Sequence, residues 1–183
     1  MGALKFRVLL DTEQESEIFR DILIDENDNF ESLYNAIISS FRFQGDQMAS
    51  FYISNDNWDK GHEISLMDMN YGDEAVDEVA SVMSGAVLRD FMEAPDQKVI
   101  LVYDFLRMWI FLIELVETTD EITESPKTLL AVGMAPPEDS RAGELGEDED
   151  DFLFDEDDEA LEDDDYEDGY SDEDINNLDE YEY

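Results

Sequence analysis

After Gly143 the chain carries 23 Asp or Glu residues and not one Lys or Arg, whereas the 143 residues before that point hold all ten bases together with 29 acids. These two stretches cannot belong to one packed unit on equal terms. The second repels itself, and only 12 of its 40 residues are apolar or aromatic, too few to offset the entropy of ordering. The first has 66 such residues in 143, ordinary globular usage, and is long enough to bury a core. The sequence therefore predicts a folded domain over residues 1–143 and a disordered acidic tail over residues 144–183.

Charge and composition also exclude chemistries. A formal charge of -42 argues against direct nucleic-acid binding, which relies on clustered Lys and Arg against phosphates. With no cysteine there are no disulfides, thiol nucleophiles or thiolate zinc sites, and a single histidine, His62, rules out multi-histidine metal centres. The longest apolar stretch, residues 99–116, contains Asp104, Arg107 and Glu114, which are costly at mid-bilayer, so strands explain it better than a membrane span. The start, MGALKFRVLL, has no signal-peptide core, because Lys5 and Arg7 interrupt it, and Phe6 stands where a myristoylation motif wants Ser or Thr. A soluble, cytoplasmic protein without cofactor or membrane partner is the expectation.

Periodicity supplies the elements. Leu4, Phe6 and Val8 alternate with Lys5 and Arg7, and residues 18–24 (IFRDILI) form a second β-rich run, so the pair reads as a hairpin. Phe30, Leu33, Tyr34, Ile37, Ile38 and Phe41 recur with helical spacing, with Asp28 and Glu31 placed like a capping box. Residues 50–54 and 64–67 read as strands, residues 75–82 and 87–92 as short helices, and residues 99–105 and 108–116 as adjacent central strands. The fold class that follows is α+β, a mostly antiparallel, partly rolled sheet packed with helices.

Few residues suggest chemistry. His62 and Glu63 could serve as a base and its orienting carboxylate, but they lack a second histidine or a metalloprotease spacing. Ser39, Ser40, Ser50 and Ser54 have no G-x-S-x-G context, and no phosphate-cradling glycine loop occurs. Residues 164–169 (DDYEDG) open like an EF-hand loop, yet Tyr166 takes a ligand position and Ile175 stands where the bidentate Glu belongs. In the tail, Phe152, Phe154, Tyr166 and Tyr170 interleave with acids, a composition suited either to a solubilising bristle or to docking on basic, hydrophobic surfaces. Asp104, set between Tyr103 and Phe105 in an apolar run, needs a partner if buried, and Arg107 or Arg89 is the expected one.

Tyr103-Asp104-Phe105, then Trp109, then Ile113-Glu114-Leu115, then Pro136-Pro137-Glu138-Asp139, in this order, resemble the plasmid pRiA4b ORF-3-like family, whose members are similar to the passenger protein of some bacterial insertion elements. The resemblance covers roughly residues 1–160. It implies an α+β fold with a partly rolled sheet, a bacterial or archaeal source, association with mobile elements and no established enzymatic activity. Tyr103, Asp104, Phe105, Trp109, Pro136, Pro137, Glu138 and Asp139 carry over as signature positions, none as a catalytic residue. Two departures stand out: Leu106-Arg107 replace the usual Gly-Asp, and Ser140-Arg141-Ala142 replace the usual Cys-Gly-Gly.

The leading expectation is thus a non-enzymatic protein-interaction module whose acidic tail attracts a basic protein partner. The alternative is a metal-assisted hydrolase that gathers Asp104, Glu138 and Asp139. The Pro-Pro-Glu-Asp loop is expected to flank the Tyr-Asp-Phe strand, with Glu138 and Asp139 accepting from arginine or free amides.

Overall fold

The computed structural model describes residues 1–68 and 81–141. The tail expected over residues 144–183, and most of the helix expected over residues 75–82, lie outside the described residues. Within them, eight strands form one sheet: β1 (Ala3–Leu10), β2 (Phe19–Asp25), β3 (Ala49–Ser54), β4 (Lys60–Ser65), β5 (Ser81–Val82), β6 (Lys98–Tyr103), β7 (Trp109–Thr119) and β8 (Lys127–Val132). Their order is β5-β4-β3-β6-β7-β1-β2-β8, antiparallel throughout except for the parallel β4–β5 pair. One α-helix, α1 (Phe30–Ser40), and one-turn 3₁₀ helices at Leu88–Asp90 and Glu138–Ser140 complete the described residues.

The expected sheet packed with helices is therefore corrected: the described residues form one large mixed sheet with a single α-helix. Two segments account for the difference. Residues 87–92 are too short to offset helix nucleation, and Val87 stays extended to form a bridge with Asn29 before a single 3₁₀ turn. Ser81–Val82, read as the end of a helix, pair with β4 instead. A strand that periodicity did not predict, β8, adds to β2 at the sheet edge.

The core lies on one face of the sheet. Leu4, Phe6, Val8 and Leu10 of β1, Ile22 and Ile24 of β2, Val99, Leu101 and Tyr103 of β6, and Trp109, Phe111, Ile113 and Leu115 of β7 are all buried and alternate along their strands, as a period of two requires. Onto this face α1 packs Phe30, Leu33, Tyr34, Ile37 and Ile38, each side chain contributing roughly 1.5–3 kcal/mol when fully buried. The opposite face is partly polar. There Arg7 grips the buried Asp21 through two parallel bonds of 2.8 and 2.9 Å, and the Ser50 hydroxyl donates to Glu63 at 2.7 Å.

Both ends of α1 are defined locally. Asn29, not Asp28, is the N-cap, accepting from the Ser32 N–H at 2.9 Å, while Asp28 accepts from the Ser32 hydroxyl. At the other end the Arg42 N–H donates to the Ser39 carbonyl and the Phe43 N–H reaches back to Ile38. Arg42 holds φ of 61°, the left-handed position that glycine commonly fills after a helix.

Candidate functional site

Tyr103 and Trp109 are register partners across the β6–β7 hairpin, so their rings emerge on the core face beneath the loop that follows β8. Gly133, at φ of 77°, turns the chain out of β8, and a Cβ there would lie 2.9 Å from the Glu17 carbonyl oxygen. The chain then runs through Pro136 and Pro137 into the Glu138–Ser140 turn, which lands on those rings. The Tyr103 hydroxyl donates to Glu138 Oε1 at 2.6 Å, the Gln44 N–H donates to Oε2 at 2.7 Å, and Trp109 Nε1 donates to the Glu138 carbonyl at 3.1 Å. The Gly45 N–H completes the corner by donating to the Tyr103 hydroxyl at 3.0 Å. The two signature strings thus meet in space.

Arg141 seals the same corner. Its guanidinium lies 4.6 Å from the Trp109 ring centroid and donates to the carbonyls of Met108 and Asp11. Phe43 adds ring contacts to Trp109 at 5.0 Å and Tyr103 at 5.8 Å. Burial, then the hydrogen bond and charge of Glu138, push the Tyr103 hydroxyl well above the ordinary tyrosine range. Burial, then Glu138 and Asp46, push Tyr34 up to about 12. Both phenols stay protonated at neutral pH, and the Tyr34 hydroxyl, fully buried, has no hydrogen-bond partner among the described residues.

Asp104 is not in a strand. β6 ends at Tyr103, and Asp104, at φ of 59°, opens the loop to β7. It is buried, but neither Arg107 nor Arg89 neutralises it with a guanidinium. Its Oδ1 accepts from the backbone N–H groups of Leu106 at 3.1 Å and Arg107 at 3.2 Å, a turn-capping role that a short acidic side chain fills well. Phe105 projects into solvent. Asp139 is exposed beside a cleft of about 320 Å³ lined by Arg42, Gln44, Asp46, Arg107, Pro137 and Glu138.

Asp104, Glu138 and Asp139 therefore do not converge as a metal-ligating set, and among the described residues no three His, Asp or Glu side chains are grouped to hold a metal ion. His62 and Glu63, neighbours on β4, point to opposite faces. His62 meets the Ser81 hydroxyl and stacks on Phe91, while Glu63 accepts from Ser50 and Tyr52.

The site reading overlooked Arg20 and Arg42. Arg20 occupies a core-facing position of β2 and is 6% exposed, with a pKa lowered by burial and by the charge of Arg42. The sequence signals were an arginine at an inward position of an Ile-rich run, and an arginine where a helix terminator belongs.

Among the described residues no helix is long and apolar enough to cross a membrane. No curated protein matches the chain. Among solved structures, a protein of unknown function from Methanosarcina mazei Go1, MM3350, superposes with a TM-score of 0.62 at 19% identity, covering 77% of this chain and 75% of that one. That likeness shows a shared fold. The model of the plasmid pRiA4b ORF-3-like proteins matches residues 2–179, so nearly the whole chain carries the pattern, and the protein belongs to the plasmid pRiA4b ORF-3-like family.

Proposed function

We propose that this family member is a non-enzymatic protein-interaction module, in the cytoplasm, whose acidic C-terminal segment attracts basic partners. One observation carries the reading: two of the three signature carboxylates that a hydrolase would need free are engaged by the chain's own donors. Asp104 caps its loop and Glu138 is held by Tyr103 and Gln44. The 23 acids after Gly143 supply a strong field for steering a cationic partner, effective over a Debye length of about 8 Å at physiological salt.

The test has two arms. Binding of a basic probe protein, measured with and without residues 144–183, is expected to weaken on truncation and to fall as salt rises. Calorimetric titration with Mg²⁺, Mn²⁺ and Zn²⁺ is expected to give only weak, non-stoichiometric heats. Tight one-to-one metal binding abolished by Asp104→Asn or Glu138→Gln would replace this reading with the metal-assisted hydrolase.

A further inference from the structure

Among the described residues β8 ends the sheet with its outer edge unpaired, and every one of its six residues is exposed. Leu129 and Leu130 are 52% and 45% exposed, and Lys127 is the strand's one charge. Such an edge is a template for another strand. Register with β2 sets Thr128 opposite Ile22 and Ala131 opposite Arg20, which turns both small β8 residues toward the α1 side, with a bulge between them.

Between β8 and the outward side of α1 runs a groove. One part, about 490 Å³, is lined by Ser32, Asn35, Ala36, Ser39 and Ser40 of α1 with Pro126 and Thr128. A second part, about 470 Å³, shares Ser40 and continues past Phe41, Ala131 and Met134 to Pro136 and Pro137. Arg20 and Arg42 line this second part. Small side chains on the helix, a strand edge beside it and two cations at one end thus line two adjoining cavities that meet at Ser40.

Neither cation has a carboxylate partner among the described residues. Arg20 donates from Nε to the Ser40 carbonyl at 3.1 Å and from Nη1 to the Phe19 and Val132 carbonyls at 2.8 and 2.9 Å, which serves the end of α1 and the end of β8. Its guanidinium also lies 4.7 Å from the Phe41 ring centroid, and among the described residues Nη2 has no such bond and no carboxylate pairs with it. The Arg42 guanidinium has no hydrogen bond or ion pair among the described residues, although Glu138 and Asp139 line the adjoining cleft. Arg42 also sits at φ of 61°, where glycine would be easier, so its side chain is kept at a cost in local stability. A desolvated cation with a free N–H pair beside a second free cation is a receptor for a carboxylate.

We infer that the groove between α1 and β8 docks an extended peptide of a partner protein, which adds as a further strand on the β8 edge and sets an Asp or Glu side chain against Arg20 and Arg42. Backbone pairing would supply affinity, the small α1 side chains would admit the peptide's alternate side chains, and the arginine pair would supply specificity. The inference deepens the interaction-module reading but uses residues other than those of the acidic segment, so each can fail alone.

The test is selection from a display library of short random peptides on the full-length protein at about 0.15 M salt, where surface attraction is screened. Selected peptides are expected to be rich in β-branched residues with one Asp or Glu at a constant position, and the corresponding Asn or Gln peptide to bind about tenfold more weakly. Two variants separate binding from folding. Arg42→Gly should melt no lower than the parent, since it relieves the left-handed backbone, yet lose about tenfold in affinity. Ser39→Trp, on the exposed side of α1, should fill the groove and abolish binding with melting unchanged. Failure to select any peptide, peptides without an acid, or peptides indifferent to both variants would overturn the inference. Lys- and Arg-rich peptides bound equally by both variants would report the acidic segment, sinking the groove while leaving the interaction-module reading in place.

Discussion

The Glu138 corner and the α1–β8 groove lie on the same face of one sheet and treat polar groups in opposite ways. At the corner, a carboxylate, a phenol, an indole and two backbone amides are matched within 2.6 to 3.1 Å, and Arg141 closes over the indole. At the groove, the Arg42 guanidinium and Arg20 Nη2 have no acceptor among the described residues, beside a strand whose outer edge is unpaired among them. Matched polar groups hold a structure together, whereas unmatched ones are available to a partner. The signature residues Tyr103, Trp109 and Glu138 are thus part of the scaffold, whereas Arg20 and Arg42, outside the signature, line the groove.

The largest break in this contrast should come from Trp109→Ala. It removes a fully buried indole, its bond to Glu138 and the platform for Arg141, and urea unfolding should register a loss of about 3–5 kcal/mol. Next in size, Glu138→Ala should cost about 1–3 kcal/mol, because it leaves the Tyr103 hydroxyl and the Gln44 N–H without their acceptor. Asp139→Ala, one residue away but exposed, should stay within about 0.5 kcal/mol. Equal losses for the two would mean that the corner is not built on Glu138.

Alkaline titration gives a smaller effect of known sign. Unfolded tyrosines release their protons near pH ~10, while Tyr34 and Tyr103 hold theirs to higher pH in the folded domain. The native state then binds more protons than the unfolded one, so stability falls as pH rises. The stabilisation is complete below pH ~10 and should be lost toward about 12 for Tyr34, visible as a decline in melting temperature that Tyr34→Phe makes shallower. At neutral pH Tyr34→Phe should be the smallest change of all, within about 0.5 kcal/mol, because the hydroxyl it deletes has no partner to lose. A large loss would reveal a hidden partner for that phenol and move Tyr34 to the matched side of the comparison.

Much of the sheet was legible in advance because burial on one face writes itself into the sequence. The alternation in β1, the aromatic and β-branched runs of β6 and β7, and the stripe on α1 each mark a surface that must leave water. β8 carries no such mark: exposed on both faces, it has no period to read, and it is a strand only because β2 offers an edge. The short helix expected over residues 87–92 failed for the converse reason, since an apolar run of that length suits a bridge and one 3₁₀ turn as well as a helix.

The sequence by itself determined the family, the charge division at Gly143, the central strands and the helix, because composition and periodicity are local properties. Only the tertiary structure decided the partners. Asp104 is satisfied by two amides of its own loop, whereas Glu138 is satisfied by Tyr103, 35 residues away, and by Gln44, 94 residues away. Arg20 came to lie beneath the end of α1, bonded to the Ser40 carbonyl, because β2 runs there. A side chain's pairing depends on which strands become neighbours, and that is settled by the packing of the whole sheet.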